Sequence, residues 1–412
     1  MSLGIQLKGK AKERSAVTRW IKGSGPAEFS ERVAEVVKGT DWRADVTKMG
    51  KMGAGVSLSL HPALEPLLLH ASPDGTVRLS VRTTPSGPGY HLAAVSLIDT
   101  ITKDAGVTWE NLKDADKTGY LLHRDKTKLE QTITQWLHGF AKFVKDHPRQ
   151  GCLSMDLPNG LTVEADSLLA TSLGPRDKAW LDDILADPQS RVLDFFPWWN
   201  EARDVSHHQG LALVSAWCLL VHRRPETDAE EDVMRCFANN CLQAAKLDPA
   251  IDLPRSTWRE VCGWLNSPVP PEAEGADPFG AIGYRRGLIH YPLPAGWSLR
   301  LPGDFAQDFV LAEGLWKAWD PSRRVEAKIL PLAKPGPVED ILQRHGKPTE
   351  GRRLTLNKGG VYGVADWTIR EGMGILEGEF LCRDSLMAFA VAAPDSTAED
   401  WAVSVFESVS RR

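Results

Sequence analysis

The chain has 412 residues, 42% of them apolar and 25% charged, with a formal net charge of −5. That length is too great for one ordinary core and points to two or three domains of a globular protein. Charge is uneven: residues 1–52 carry +5, residues 53–280 carry −10 and residues 281–412 balance to zero. An acidic middle repels phosphate backbones, so nucleic acid is not expected as a partner and a basic protein is.

Residues 1–25 hold Lys8, Lys10, Lys12, Arg14, Arg19 and Lys22, and read as a flexible basic arm. No apolar core follows the first Met and no run of about 18 apolar residues occurs, so neither a secretory leader nor a membrane span is expected. The six cysteines show no CxxC and no framework spacing. They read as free thiols in a cytoplasmic protein.

From Pro26 to Thr40 the spacing of Phe29, Val33, Val36 and Val37 predicts an amphipathic helix. Met49–Gly55 is glycine-rich but lacks the GxxxxGK[ST] phosphate loop, and reads as a connector. Strands are expected at Val56–Leu60, Ala63–His70 and Thr76–Thr83. Gly87-Pro88-Gly89-Tyr90-His91 then makes a sharp turn into a helix ending near Ala105. Asp125 is placed to cap a long helix, Lys126–Asp146, with Leu129, Ile133, Trp136, Leu137 and Phe140 at core spacing.

Residues 151–172 read as a hairpin around Pro158-Asn159-Gly160, and Pro175 suits the first turn of a short helix ending near Ala186. The densest patch is Phe195-Phe196-Pro197-Trp198-Trp199-Asn200-Glu201. Asn200 is expected to cap a helix running to His222, which would put Glu201, Asp204 and His208 on one face. Carboxylates and an imidazole so arranged offer ligands for a divalent metal, whose bound water could attack an ester or amide. A metal-dependent hydrolase using Glu201, Asp204 and His208 is therefore the alternative reading. No HExxH, GxSxG or GxGxxG is present, and no organic cofactor is expected.

Residues 26–266 thus read as a helix-rich α+β domain. The proline-rich, acidic stretch 267–280 reads as a linker, and residues 281–412 as an antiparallel sheet with a closing helix. The fold class is α+β, multi-domain.

In the last segment, Leu293-Pro294-Ala295-Gly296-Trp297-Ser298-Leu299-Arg300-Leu301-Pro302 precedes a strand ending in Trp319-Asp320. The chain closes on a helix ending Val405-Phe406-Glu407-Ser408. This pattern, about 120 residues long, resembles the PsbP/Mog1/DcrB-like fold. The resemblance implies a non-enzymatic binding module, like the chaperones that hold type VI secretion effectors; it brings no catalytic motif, and the chain lacks the lipid-attachment cysteine of the lipoprotein relatives. Residues 55–265 look like bacterial proteins to which no activity attaches. The leading expectation is therefore a non-catalytic, cytoplasmic, bacterial protein-binding protein, such as a toxin-neutralising immunity protein or a secretion chaperone. Its partner-contacting residues would be Trp198, Trp199, Tyr90 and His91, because aromatic anchors are enriched at interfaces.

Overall fold

The computed structural model describes residues 3–12, 25–48, 52–147, 151–155, 157–164, 167–310, 313–332, 351–382, 384–394 and 398–411. It is an α+β protein of two compact units. The first comprises Met1–Pro158, Ala165–Leu220 and Glu231–Gly283; the second comprises Asn159–Glu164, Val221–Glu230 and Tyr284–Arg412.

The first unit is built on an antiparallel sheet of six strands: β1 (Gly4–Ala11), β2 (Arg43–Lys48), β3 (Ala54–Ser59), β4 (Leu67–Ala71), β5 (Thr76–Arg82) and β6 (Val107–Trp109). Their order is β2-β3-β4-β5-β1-β6. Here the sequence expectation fails for residues 4–11. They are no arm; β1 lies inside the sheet, paired along its length with β5 and on its other side with β6. The lysines concealed a period of two, with Ile5, Leu7 and Gly9 facing inward and Gln6, Lys8 and Lys10 outward. Residues 13–24 of the expected arm lie outside the described residues, as do residues 49–51 of the glycine-rich stretch.

The inner face of the sheet buries Ile5, Leu7, Val56, Leu58, Leu67, Leu69, Leu79 and Val81. Helix α1 (Pro26–Val37) lies across β2, β3 and β4, burying Phe29, Val33 and Val37. Helix α2 (Pro88–Thr100) buries nine of its residues and exposes Ser96 and Asp99, which marks it as a core helix. It runs on into a π-helical turn, Ile101–Gly106.

A second core of this unit forms between α3 (Lys126–Asp146) and α4 (Lys178–Ala186), with Leu129, Ile133, Leu137, Trp180, Ile184, Phe195 and Phe196 in contact. Asp125 caps α3 through the Lys128 amide at 3.0 Å. Pro175 does not open α4. Strand β7 (Leu153–Ser154) pairs in parallel with β9 (Leu169–Thr171), and β9 pairs with β10 (Gly174–Arg176), so Pro175 is a strand residue and Asp177 is the cap. The expected hairpin is also absent, because β8 (Thr162–Val163) pairs with a strand of the second unit.

Three more helices follow: α5 (Val205–Val214), α6 (Asp228–Leu247) and α7 (Arg255–Trp264). The stretch expected as a linker is strapped onto α7. Arg255 donates to the Glu272 and Ala276 carbonyls, Arg259 to the Ala273 carbonyl at 2.6 Å, and Asp277 accepts from the Ser256 amide at 2.8 Å. Prolines gave it a linker's composition, but backbone acceptors for two arginines hold it in place.

The second unit carries a four-stranded sheet, β20-β12-β11-β8, from β11 (Leu288–Pro292), β12 (Trp297–Pro302) and β20 (Ser410–Arg411). Its larger sheet has seven antiparallel strands: β13 (Ala306–Val310), β14 (Leu315–Trp319), β15 (Arg324–Pro331), β16 (Arg352–Lys358), β17 (Val361–Arg370), β18 (Met373–Cys382) and β19 (Ser385–Ala393). The order is β13-β14-β15-β19-β18-β17-β16. Its core brings Trp297, Phe380, Phe389 and Phe406 together, the last from α8 (Glu399–Glu407). No helix among the described residues is long and apolar enough to cross a membrane.

Candidate functional site

Two segments singled out in the sequence lock into one another. The Gly89 amide donates to the Trp198 carbonyl and the Trp198 amide to the Ser86 carbonyl, each at 3.1 Å. Glycine is required at both ends of the Gly-Pro-Gly turn. Gly87 has φ of 96°, and a Cβ on Gly89 would lie 2.2 Å from the Asn200 carbonyl oxygen and 2.3 Å from the Trp198 ring. Rings continue outward from this joint: Trp42 to Tyr90 at 6.1 Å, Tyr90 to Trp198 at 6.3 Å, Trp198 to His207 at 4.3 Å and His207 to His208 at 4.9 Å. The Tyr90 hydroxyl donates to the Glu65 carbonyl.

This overturns the expected contact surface. Tyr90 and His91 are fully buried and Trp198 is 3% exposed, so none of the three can meet a partner. Trp199 is half-buried against Phe196 at 5.6 Å. The aromatic residues are consumed by the joint between α2 and the segment before α5, where large rings fill the space between elements meeting from several directions.

The expected metal ligands do not assemble either. Asn200 is not the cap; α5 begins at Val205, and Asp204 caps it by accepting from the His207 amide at 3.0 Å and the Ser206 hydroxyl at 2.7 Å. Asn200 donates instead to the other Asp204 oxygen at 2.7 Å. Burial works to raise the Asp204 pKa, but the bonds from Asn200, Ser206 and the His207 amide outweigh it and hold the carboxyl below its ordinary value. Glu201 precedes the helix, is exposed and pairs with Lys126, so helical spacing never applied to it. Among the described residues no group of three or more His, Cys, Asp or Glu is arranged to hold a metal ion.

His208 joins a different cluster. Asn240, on α6, donates from Nδ2 to the Cys236 carbonyl and to His61 Nε2, both at 2.9 Å, and its Oδ1 lies 2.9 Å from His208 Nδ1. The Cys236 bond fixes the amide orientation, which makes His208 Nδ1 the donor and His61 Nε2 the acceptor. Burial, reinforced by Arg43 and His208 and opposed by Asp232, pushes the His61 pKa down to about 4. Burial first, then His208, Arg203 and His61, push His207 down to about 3. Both rings are therefore neutral at pH 7.

A second imidazole network is wholly internal. His91 Nδ1 contacts the Thr83 hydroxyl at 2.8 Å and its Nε2 contacts Asp116 at 3.2 Å. Asp116 also accepts from the Thr118 hydroxyl at 2.7 Å, the Thr118 amide at 2.9 Å and the Leu121 amide at 2.9 Å. Burial would raise the Asp116 pKa, yet the bond and attraction to His91, with Leu121 and Thr118, carry it down to about 2. With both ring nitrogens engaged and the side chains 0% and 1% exposed, this pair ties α2 to the segment before α3.

Sequence reasoning missed the outer face of the six-stranded sheet in the first unit. There Lys8 of β1 stands directly opposite Arg78 of β5, and Arg78 opposite His70 of β4. The next row runs Gln6, Ser80, Leu68, Ser57 and Asp45, with Asp45 at the sheet edge. A shallow groove of about 690 Å³ crosses these rows; Lys8 and Arg78 carry its charge and no acidic side chain lines it. Leu68, 50% exposed, lies in its floor. Asn111 fixes one rim by accepting from the Lys8 amide at 2.8 Å and donating to the Gln6 carbonyl at 3.0 Å. The alternation within β1 was the available signal.

No protein-family model matches the chain, and no curated protein does. A solved structure from Bacteroides thetaiotaomicron VPI-5482, determined at 1.50 Å, is similar at 13% identity with a TM-score of 0.25. The match covers 31% of this chain and 49% of that one, about half its length, and carries no argument.

Proposed function

We propose that this is a cytoplasmic protein-binding protein, of the kind represented by toxin-neutralising immunity proteins and secretion-effector chaperones. Its contact surface is the outer face of the six-stranded sheet. The observation behind this reading is the half-exposed Leu68, set in a groove between polar and cationic side chains while the opposite face of the same sheet is buried. An apolar side chain inside a polar rim is the arrangement of a binding surface. The resemblance of residues 281–412 to the PsbP/Mog1/DcrB-like fold points the same way. Of the expected anchors, Tyr90, His91 and Trp198 do not support it, since they are buried.

The test is affinity purification of the tagged full-length chain from cells that express it naturally, beside a Leu68→Asp variant. One protein is expected at a stoichiometric ratio with the wild type, and at a strongly reduced ratio with the variant. Recovery of no stoichiometric protein would refute the proposal, and equal recovery by both chains would remove the sheet face from it.

A further inference from the structure

We propose that the groove on the outer sheet face takes an acidic polypeptide segment of a partner protein, with an apolar side chain seated on Leu68 and carboxylates on Lys8 and Arg78. The inference rests on the protein-binding reading and specifies the partner's chemistry. It reverses the expectation of a basic partner at this surface.

Three observations carry it. Lys8 and Arg78 sit directly opposite one another on adjacent strands, where Cβ atoms are about 5 Å apart and like charges destabilise the pairing. An anion bridging the two would relieve that repulsion. Nearby cations of the same face are already answered: Lys10 lies 3.5 Å from Asp74, and Arg82 pairs with Glu65. Lys8 has only Glu110, at 3.9 Å with both side chains about half exposed, and Arg78 has no acidic partner among the described residues. A surface pair that long is worth little. Finally, among the described residues the lining holds no acidic side chain although the chain as a whole is net negative, so cationic character is a local property of the groove.

The same surface is poorly suited to nucleic acid. Among the described residues the groove has one ring in its lining, His70, whose Nε2 lies 3.1 Å from the Met52 carbonyl, and single-strand binding relies on a succession of stacking rings. An extended segment in which an acidic and an apolar residue stand two apart matches the rows, because side chains two apart on one strand meet neighbouring positions on one face of a sheet.

The experiment is fluorescence anisotropy on the full-length chain with three labelled probes: a twelve-residue peptide of Glu-Glu-Leu repeats, its Lys-Lys-Leu counterpart and a single-stranded oligothymidylate. Arg78→Glu and Lys8→Glu are compared with wild type and with Lys38→Glu, which changes an exposed cation on α1's end. Circular dichroism verifies that each variant folds, and Arg78→Gln reports loss of charge without reversal. The acidic peptide is expected to bind saturably and more weakly at higher salt. Either reversal in the groove should weaken it at least tenfold, Arg78→Gln less so, and Lys38→Glu should leave it unchanged. Equal binding by Arg78→Glu, preference for the basic peptide or the oligonucleotide, or no binding of the acidic peptide would overturn the inference. Dimerisation of the wild type that is lost in Arg78→Glu would assign the groove to a second copy and overturn it too. A natural partner retained equally by Arg78→Glu would overturn the acidic segment while leaving the protein-binding reading intact; absence of any partner sinks that reading itself.

Discussion

Gly89→Ala tests the joint between the Gly-Pro-Gly turn and the aromatic segment. On helix propensity alone the change should stabilise, since alanine is about 1 kcal/mol better than glycine in a helix interior. Packing says the opposite. The added methyl would lie 2.2 Å from the Asn200 carbonyl oxygen and 2.3 and 2.5 Å from two atoms of the Trp198 ring, whereas ordinary contact begins near 3.4 Å. Neither obstacle can swing away: one is backbone, the other an indole 3% exposed and flanked by His207 and Tyr90. Backbone or ring must therefore retreat by about 1 Å, and overpacking of that kind costs roughly 1–3 kcal/mol. Set against the propensity gain, a net loss of about 1 kcal/mol is expected. Gly139 supplies the control, because it lies within α3 and a methyl there meets nothing within 4 Å. Gly139→Ala should gain about 0.5–1 kcal/mol. Urea unfolding followed by tryptophan fluorescence measures both. If Gly89→Ala matched or exceeded the wild type, the close approach of the two segments would be refuted.

Two further outcomes follow from the ionisable groups. His61 and His207 have folded pKa values, about 4 and about 3, below the unfolded value of about 6.5, so the unfolded chain binds the extra protons. Their contribution is complete above pH 6.5 and is lost as pH falls towards those folded values, on the order of 2 kcal/mol per ring by pH 5. His207→Phe, which keeps a ring against Trp198, should flatten the fall in urea midpoint between pH 6.5 and 5; an unchanged slope would contradict burial as the cause. Asp204→Ala should cost about 1 kcal/mol through loss of the α5 cap, equally with and without a chelator, and Asp204→Asn should restore most of it. A chelator-dependent loss would reopen the metal reading.

Much of the second unit was legible because its signals are local. Strand β14 ends at Trp319, where the tail pattern places a strand end, and residues 281–412 form the expected antiparallel sheet with a closing helix that carries Val405, Phe406 and Glu407. Period-two alternation survives in a strand with one face buried, whatever its neighbours are. The cap of α3 was equally readable, because a short carboxylate reaching the third following amide needs nothing beyond its own turn. Where two good caps competed, the chain alone could not choose. Asn200 and Asp204 both suit the role, and the decision fell to Asp204 because the residues before it are held against the Gly-Pro-Gly turn.

From its own residues, then, the chain determined its class, most of its tail strands and the capping of α3, all of which depend on neighbours a few positions apart. Tertiary structure decided the rest. It drew Lys8 and Arg78 together from 70 positions apart in the chain, linked His61 to Asn240 across 179 positions, and turned an apparently solvated basic start into an inner strand. Burial also decided which aromatic rings are core. Periodicity reports which side a residue takes within its own element; which distant element then covers that side, and which face is left open, depends on long-range packing.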